Sequence, residues 1–306
     1  PDGPYIRRDG LVNPDHFTHH RQAMSRMSEA TRDLALAAFY CGESRFARRA
    51  AEILHTWFLA PETRMNPHLE YGQAIPGRCE GRGIGIIDTV CLIGLVYALP
   101  FLAATGEWPE DEQDGLKEWF RAYTSWLTTS SKGIDERDQR NNHGTFWVAQ
   151  VATFSCWTGE TERHASLWER FRTKLVPEQI ETDGSQPLEE ARTRSLSYTL
   201  FNTNAFALIC ELAWQHGVDL WHFATEDGRG MAKVVAYLYP YLDDPGRWQK
   251  EQVVPLEPTP QLFMQWAALR FNEPRYQKVN QALGRYTDSR LGDSLLGPLA
   301  LLPGGQ

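Results

Sequence analysis

The sequence has no surplus of basic residues. Lysine and arginine number 31 against 39 aspartates and glutamates, a formal net charge of −8 over 306 residues. Such a chain is a poor general binder of nucleic acid or of an anionic membrane, and an anionic ligand has to be met by a local arginine cluster. Cysteine is sparse. Cys41, Cys79, Cys91, Cys156 and Cys210 form no CxxC pair and have no histidine at metal-ligand spacing, so the usual cysteine signatures of a metal site are missing. Five is odd, so at least one thiol is unpaired within the chain, and one or two disulfides stay open. Cys91, Cys156 and Cys210 lie in apolar helical context and read as small core residues. There is no N-x-S/T sequon, no initiating methionine and no signal peptide, which suggests a mature or trimmed form. No convincing pair of alternating strands is found. One run, 84–104, is long enough to suggest a membrane span. Asp88 and Pro100 interrupt it and no basic flank follows, so it reads as a fully buried helix.

What the chain does have is helical periodicity and aromatic mass. Aromatics make up 12% of residues, with 11 tryptophans. Most of these suit core packing, and any exposed faces suit stacking on sugar rings. Helices are expected over 29–42, 43–61, 84–104, 109–130, 144–159, 160–176, 189–217, 229–244, 259–272 and 273–286. Gly42 reads as a helix end, and the Pro109 start with its acidic first turn as a helix beginning. The helices fall into pairs joined by short links, without a tight repeat. The fold expected is all-α: antiparallel helix pairs curled into an (α/α)n toroid or incomplete barrel, residues 1–306 forming a single catalytic domain. A chain of this length buries a sizeable core without metal or disulfide. Segments 60–83, 129–142 and 177–193 read as long structured loops, which are usually functional.

Two constellations carry chemistry. The first is "RDQRNNHGTFWVAQ", 137–150, where Asn141, Asn142 and His143 stand at the mouth of a helix with arginines upstream. One asparagine serves as a cap, but that explains one residue of the three. A helix N-terminus suits a carboxylate or phosphate, and a histidine there suits general base work near neutral pH. The second is "EEARTRSLSYTLFN", 189–202. Arg194, Tyr198 and Asn202 are spaced by four and are expected on one helix face. Neighbouring positive charge stabilises a phenolate, so Tyr198 reads as a candidate catalytic phenol. With no metal motif, these side chains suit β-elimination on a uronic acid: one group neutralises the carboxylate, a base takes the C5 proton, and an acid protonates the departing O4.

The segments "NNHGTFWVAQ", "ARTRSLSY…FN" and "RMNPHLEYGQAIPG…GRGIGIID" resemble the alginate-lyase superfamily of α/α-toroid polysaccharide lyases over about residues 50 to 245. The resemblance implies that Asn142 and Arg192, with Glu136, neutralise the substrate carboxylate. It implies that His143 is a base, and Tyr198 the acid or acid and base together. Gln73, Tyr71, His68 and Arg78 in the first long loop, with Arg194 and Asn141, are the expected sugar-binding residues. Helix geometry favours Arg194 as the clamp; the order of the motif favours Arg192, which is ranked first. In mannuronate and glucuronate the C5 proton and O4 leave from one side, so Tyr198 can serve both transfers. In guluronate they lie on opposite sides, and His143 has to be the base. The resemblance further implies an anionic uronic acid polysaccharide, alginate or glucuronan, as ligand. A monomer acting outside the cytoplasm is expected, secreted or periplasmic, with no cofactor, metal, nucleic acid or membrane partner. The rivals are a glycoside hydrolase on the same fold, which needs two carboxylates across a cleft drawn from Asp88, Glu136, Asp138, Glu189 and Glu190, and a non-catalytic carbohydrate-binding protein.

Overall fold

The computed structural model describes residues 8–9, 19–75, 77–256 and 259–284. Among these residues the regular structure is helical, and two isolated β-bridges, Ile75 with Cys79 and Arg194 with Gln252, belong to no strand. The described chain clusters into two units. One holds residues 19–137 and 153–161, the other residues 8–9, 138–152 and 162–284.

The first unit is built on α1 (His19–Cys41), α2 (Ser44–Leu54), α3 (Cys91–Ala104), α4 (Glu110–Thr129) and α5 (Ser131–Arg137). Gly42 ends α1 at φ +70°, the left-handed conformation that glycine takes without strain. Ala47, Ala50 and Ala51 of α2 are buried, and small residues at this spacing let two helices approach closely. α3 buries Leu92, Ile93, Leu95, Val96, Leu99 and Leu102, so it is apolar on all sides and packs as a core helix, as its composition suggests. The expected single helix 84–104 is interrupted. Gly83–Thr89 is a 3-10 turn, and Thr89 Oγ1 bonds the Ile86 carbonyl at 2.7 Å and Tyr123 Oη at 2.7 Å. α4 opens on Glu110, Asp111 and Glu112, acids at the positive end of the helix. It buries Leu116, Trp119, Phe120, Tyr123 and Leu127, a stripe at three- and four-residue spacing. The expected loop 129–142 is helical over α5. Ser130 Oγ accepts from the Gly133 N–H at 3.0 Å as an N-terminal cap, and a side chain at Gly133 would stand 2.1 Å from the Leu127 carbonyl oxygen.

The long segment 60–83 is held by backbone. A Cβ at Gly81 would lie 2.0 Å from the Glu70 carbonyl oxygen, and one at Gly85 2.5 Å from the Gly72 carbonyl carbon. Trp119 Nε1 donates to the Met65 carbonyl at 2.8 Å, and Lys132 Nζ to the Glu70 carbonyl at 2.7 Å. The glycines of this segment therefore serve close packing between chain crossings.

The second unit takes the start of α6 (Asn142–Thr158), then α7 (His164–Arg170), α8 (Val176–Gln179), α9 (Pro187–Glu190), α10 (Ser195–Gln215), α11 (Met231–Asp243), α12 (Leu262–Arg270) and α13 (Pro274–Gly284). The expected helix 273–286 is therefore seen to Gly284, and 285–286 lie outside the described residues. α10 is the spine. It buries Leu196, Leu200, Phe206, Leu208, Ile209 and Leu212, each contributing about 1.5–3 kcal/mol by removal from water. Phe146 of α6 stacks on Phe201 at 4.2 Å, and Phe171 meets Phe206 at 5.6 Å.

The start of α10 differs from expectation. The sequence suggests one helix from 189. The structure has α9 end at Glu190, then an irregular step, and α10 begin at Ser195 with Arg194 at φ −120°. No local side chain caps α10. The cap arrives from elsewhere: Gln252 Oε1 accepts from the Leu196 N–H at 3.1 Å and the Ser197 N–H at 3.4 Å. Around it, Ser195 N–H donates to the Glu251 carbonyl at 3.1 Å, and Val253 N–H to the Thr193 carbonyl at 2.8 Å. Residues 251–253 thus fix the step 193–195 as a short antiparallel partner.

Candidate active site

The asparagine pair divides its labour. Asn141 Oδ1 accepts from the His143 N–H at 3.3 Å and so caps α6, as the sequence suggests for one of the two. Asn142, one residue further in and 2% exposed, turns elsewhere. Its backbone N–H meets Glu189 Oε1 at 2.6 Å, and its Nδ2 lies 2.8 Å from each Glu189 oxygen. Glu189 stands on α9, which Pro187 opens, and is 1% exposed. Burial pushes its carboxyl above the usual range. The Asn142 hydrogen bonds and the charges of Arg192 and His143 oppose that rise. One buried carboxylate thus binds Asn142 directly and feels both Arg192 and His143.

Tyr198 lies in the first turn of α10, half-buried, with the Arg192 guanidinium 3.9 Å above its ring centre. That is a cation–π stack, worth about 0.5–2 kcal/mol depending on desolvation. Burial raises the Tyr198 phenol above its ordinary value. Arg192 and Arg194 pull it down, while Asp9 and Glu189 push it up. The sequence suggests that the arginines would favour phenolate; in the structure desolvation outweighs them, and the phenol keeps its proton at neutral pH.

Arg194 does not join Tyr198 and Asn202 on the single helix face expected. Arg194 sits before α10, and its Nε is buried without a hydrogen-bond partner. Asn202 is fully buried. Its Nδ2 donates to Gln179 Oε1 at 2.9 Å and Gln186 Oε1 at 2.8 Å. Thr145 Oγ1 joins at Gln179 Oε1, 3.0 Å away, and Gln186 Nε2 reaches Thr203 Oγ1 at 2.7 Å. This buried amide chain ties the start of α6 to α8, α9 and α10. A polar network of this kind fixes one arrangement where an apolar core would allow several, although Gln179 Nε2 and Asn202 Oδ1 are buried in it without a hydrogen-bond partner. Arg192 lies on the step itself and grips Asp9, through Nε at 2.9 Å to each carboxylate oxygen and Nη2 at 2.5 Å.

The remaining expected residues lie in the first unit. Glu136 is fully buried near the end of α5. Gln73 has φ +49°, a conformation a non-glycine residue adopts at a cost. Its side chain is pinned, Nε2 donating to Asp88 Oδ1 at 3.2 Å and Oε1 accepting from Arg82 Nη2 at 3.2 Å. Tyr71 is 67% exposed, His68 Nδ1 accepts from the Glu70 N–H at 3.3 Å, and Arg78 is exposed. No two of the five cysteines form a disulfide, and burial pushes the Cys91 thiol up to about 11.

Three residues of this centre escape the sequence reading of the site. Glu189 is weighed there only as a hydrolase carboxylate; its signal is an acid in the first turn after Pro187. Gln252 and Asp9 have no local signal, since they act across 56 and 183 residues.

A family model described as alginate lyase matches residues 1–248. Among solved structures, an alginate lyase from Bacteroides ovatus is similar at 30% identity and a TM-score of 0.89, covering 98% of this chain and 80% of that one. A histidine-to-alanine variant of alginate lyase A1-III complexed with a tetrasaccharide matches at 18% identity and TM-score 0.63, over 97% of this chain and 80% of that one. The apo form of the same variant matches at 16% and 0.62, over 89% and 74%. These two share the fold. No curated protein sequence matches the chain. The all-α, α/α-toroid class expected from the sequence agrees with these likenesses.

Proposed function

From a chain that belongs to the alginate lyase family, and is therefore a polysaccharide lyase, we propose β-elimination on a β-1,4-linked uronic acid polymer, glucuronan or alginate/polymannuronate, giving a 4,5-unsaturated product. The observation that carries this reading is the buried Glu189 carboxylate. It binds Asn142 and lies within electrostatic reach of His143, Arg192 and Tyr198. Four residues with complementary proton-transfer and anion-binding chemistry are thereby gathered about one group.

The roles follow from chemistry and placement. Tyr198, protonated at neutral pH, delivers a proton to the departing O4. His143 at the start of α6 takes the C5 proton where it lies on the far side of the sugar. Where it lies on the near side, the minor phenolate form of Tyr198, which Arg192 and Arg194 favour, takes it and returns it to O4 as the phenol. Arg192 and the unmet donor of Arg194 neutralise the uronate carboxylate, since a buried donor without a partner is costly until a ligand supplies one. With Nδ2 of Asn142 committed to Glu189, Asn142 orients this end of the site. Asn141 is proposed as a further sugar contact beside these residues, and Gln73, Tyr71, His68 and Arg78 are proposed as sugar-binding residues of the first unit. Glu136, expected to help neutralise the carboxylate, is fully buried and is given no contact with the polymer. The family argues against the hydrolase and non-catalytic readings. A polyuronate is met outside the cytoplasm, which supports a secreted or periplasmic enzyme.

The test is ultraviolet absorbance of the conjugated product on polymannuronate, polyguluronate and glucuronan. Absorbance on mannuronate or glucuronate polymer is expected. Chain shortening without any absorbance would indicate hydrolysis and sink the reading.

A further inference from the structure

The step at Arg192 and Thr193 is a finished carboxylate receptor, and a carboxylate of the chain itself fills it. Asp9 accepts from Arg192 Nε through both oxygens at 2.9 Å and from Arg192 Nη2 at 2.5 Å. It also accepts from the Thr193 backbone N–H at 3.1 Å. The Thr193 hydroxyl lies 3.1 Å from Asp9 Oδ2 and 2.9 Å from the Asp9 carbonyl oxygen. These are charge-assisted bonds in the paired geometry that arginine offers a carboxylate. They hold the Asp9 carboxyl down at about 2, the Arg192 bonds foremost, so it stays anionic at any working pH.

The receptor has supports other than Asp9. Arg192 N–H is bonded to the Glu189 carbonyl at 3.1 Å, and the Thr193 carbonyl accepts from Val253 N–H at 2.8 Å. The Arg192 guanidinium rests on the Tyr198 ring. Asp9, by contrast, comes from 183 residues away. The two side chains are 29% and 25% exposed, Asp9 first, so solvent and ligand reach the pair.

We propose that Asp9 is an internal competitor for substrate: its carboxylate occupies the Arg192–Thr193 receptor in the free enzyme, and a uronate carboxylate takes that place when the polysaccharide binds. The inference rests on the reading of Arg192 as a uronate clamp. It adds Thr193 as a second binding residue, through its N–H and its hydroxyl. The exchange replaces one carboxylate by another, so no bond is made or broken covalently and the net charge beside Tyr198 is conserved. An unpaired guanidinium above the Tyr198 ring is avoided before and after binding. The occupied receptor lowers apparent affinity by the fraction of molecules in which it is empty.

The test uses the full chain with Asp9→Asn and Asp9→Ala. KM is read on polymannuronate from product absorbance, and the Kd of D-glucuronate by titration calorimetry without turnover. Both constants are expected to fall, by roughly three- to tenfold. Thr193→Val, which removes one donor, should raise both. KM and Kd that stay level or rise in the Asp9 variants, at an unchanged melting temperature, overturn the proposal and make Asp9 a support for Arg192. If Asp9→Ala melts early, Asp9→Glu decides, because it keeps the charge but sets it one methylene too far. A lower KM for it supports competition, and an unchanged or higher KM refutes it. A wild-type enzyme giving no absorbing product on any polyuronate would be a failure of the functional reading instead, and the glucuronate Kd would still test the competitor.

Discussion

Replacing Glu189 by glutamine should separate activity from stability. The carboxylate accepts from Asn142 at 2.6 Å and, from Nδ2, at 2.8 Å to each oxygen. Glutamine keeps one acceptor but sets an NH2 against the Asn142 amide, so at least one buried donor faces another. Leaving a buried donor unmet costs about 1–3 kcal/mol. A second effect runs the other way. Burial raises the Glu189 pKa, so the folded state prefers the protonated form. Its stabilising contribution is present below the ordinary carboxylate range and is lost as pH rises through the raised value. Glutamine is free of that loss, so the variant should gain on the wild type as pH rises towards neutral. The melting temperature at neutral pH should therefore move by only a few degrees. Activity has no such compensation. Asn142 and His143 would be displaced, and a shift of about 1 Å at a proton-transfer site costs on the order of 100-fold. The assay is initial rate by product absorbance, with thermal melts at several pH values. Full turnover in Glu189→Gln refutes the placement of Glu189 under the site. A loss of turnover matched by a proportionate loss of stability would make it merely structural.

Tyr198→Phe should lower kcat by about two to four orders of magnitude on every polyuronate, the scale of general acid catalysis, with circular dichroism and melting retained. Near-normal turnover would make the ARTRSLSY segment a binding face. His143→Ala should abolish activity on polyguluronate and leave more on polymannuronate or glucuronan; equal losses on all three would refute the facial assignment. Gln252→Ala removes the acceptor for the Leu196 and Ser197 N–H groups and should cost about 0.5–2 kcal/mol in denaturant melts, the usual range for a lost helix cap. His164 is 5% exposed, and burial, then His216, lowers its pKa from 6.5. Its stabilising contribution is present above that ordinary value and lost as pH falls below it. His164→Phe should flatten this acid limb in melts taken across that range; an unchanged slope would show that His164 does not cause it.

What the sequence reveals and conceals follows the range of the interactions. The helices over 109–130 and 144–159 are legible because their apolar spacing is local, and in 109–130 the acids of the first turn add to it. The helix expected over 29–42 is found, but it begins ten residues earlier at His19. The NNHG and ARTRSLSY segments are legible for the same reason: capping asparagines and arginine-flanked tyrosines announce themselves within a few residues. The break at 191–194 is not, because periodicity continues across it. The pairing with 251–253 and the bonds of Asp9 to Thr193 hold this step out of the helix. The helical character of 131–137 is hidden by polar composition, and it is Ser130 and the backbone clearance at Gly133 that allow it. Asn202 reads by spacing as one face with Arg194 and Tyr198, yet it is fully buried, because Gln179 and Gln186 offer it partners from elsewhere in the unit. Asp9 stands far along the chain from the arginine it pairs with, and no short-range pattern marks it.

The remote cap on α10 sets an order of events during synthesis. A ribosome releases Arg192, Thr193 and Tyr198 well before Gln252, and until that glutamine emerges the first turn of α10 lacks its acceptor. Helix starts without a cap fray, and the step that carries Arg192 has no Val253 to hold its carbonyl. A nascent chain stopped anywhere before residue 251 therefore contains every proposed catalytic residue and still lacks an assembled site. Termination anywhere before residue 251 would therefore yield an inert protein rather than a weakened one, and the proposed site is assembled only once residues 251–253 have left the ribosome.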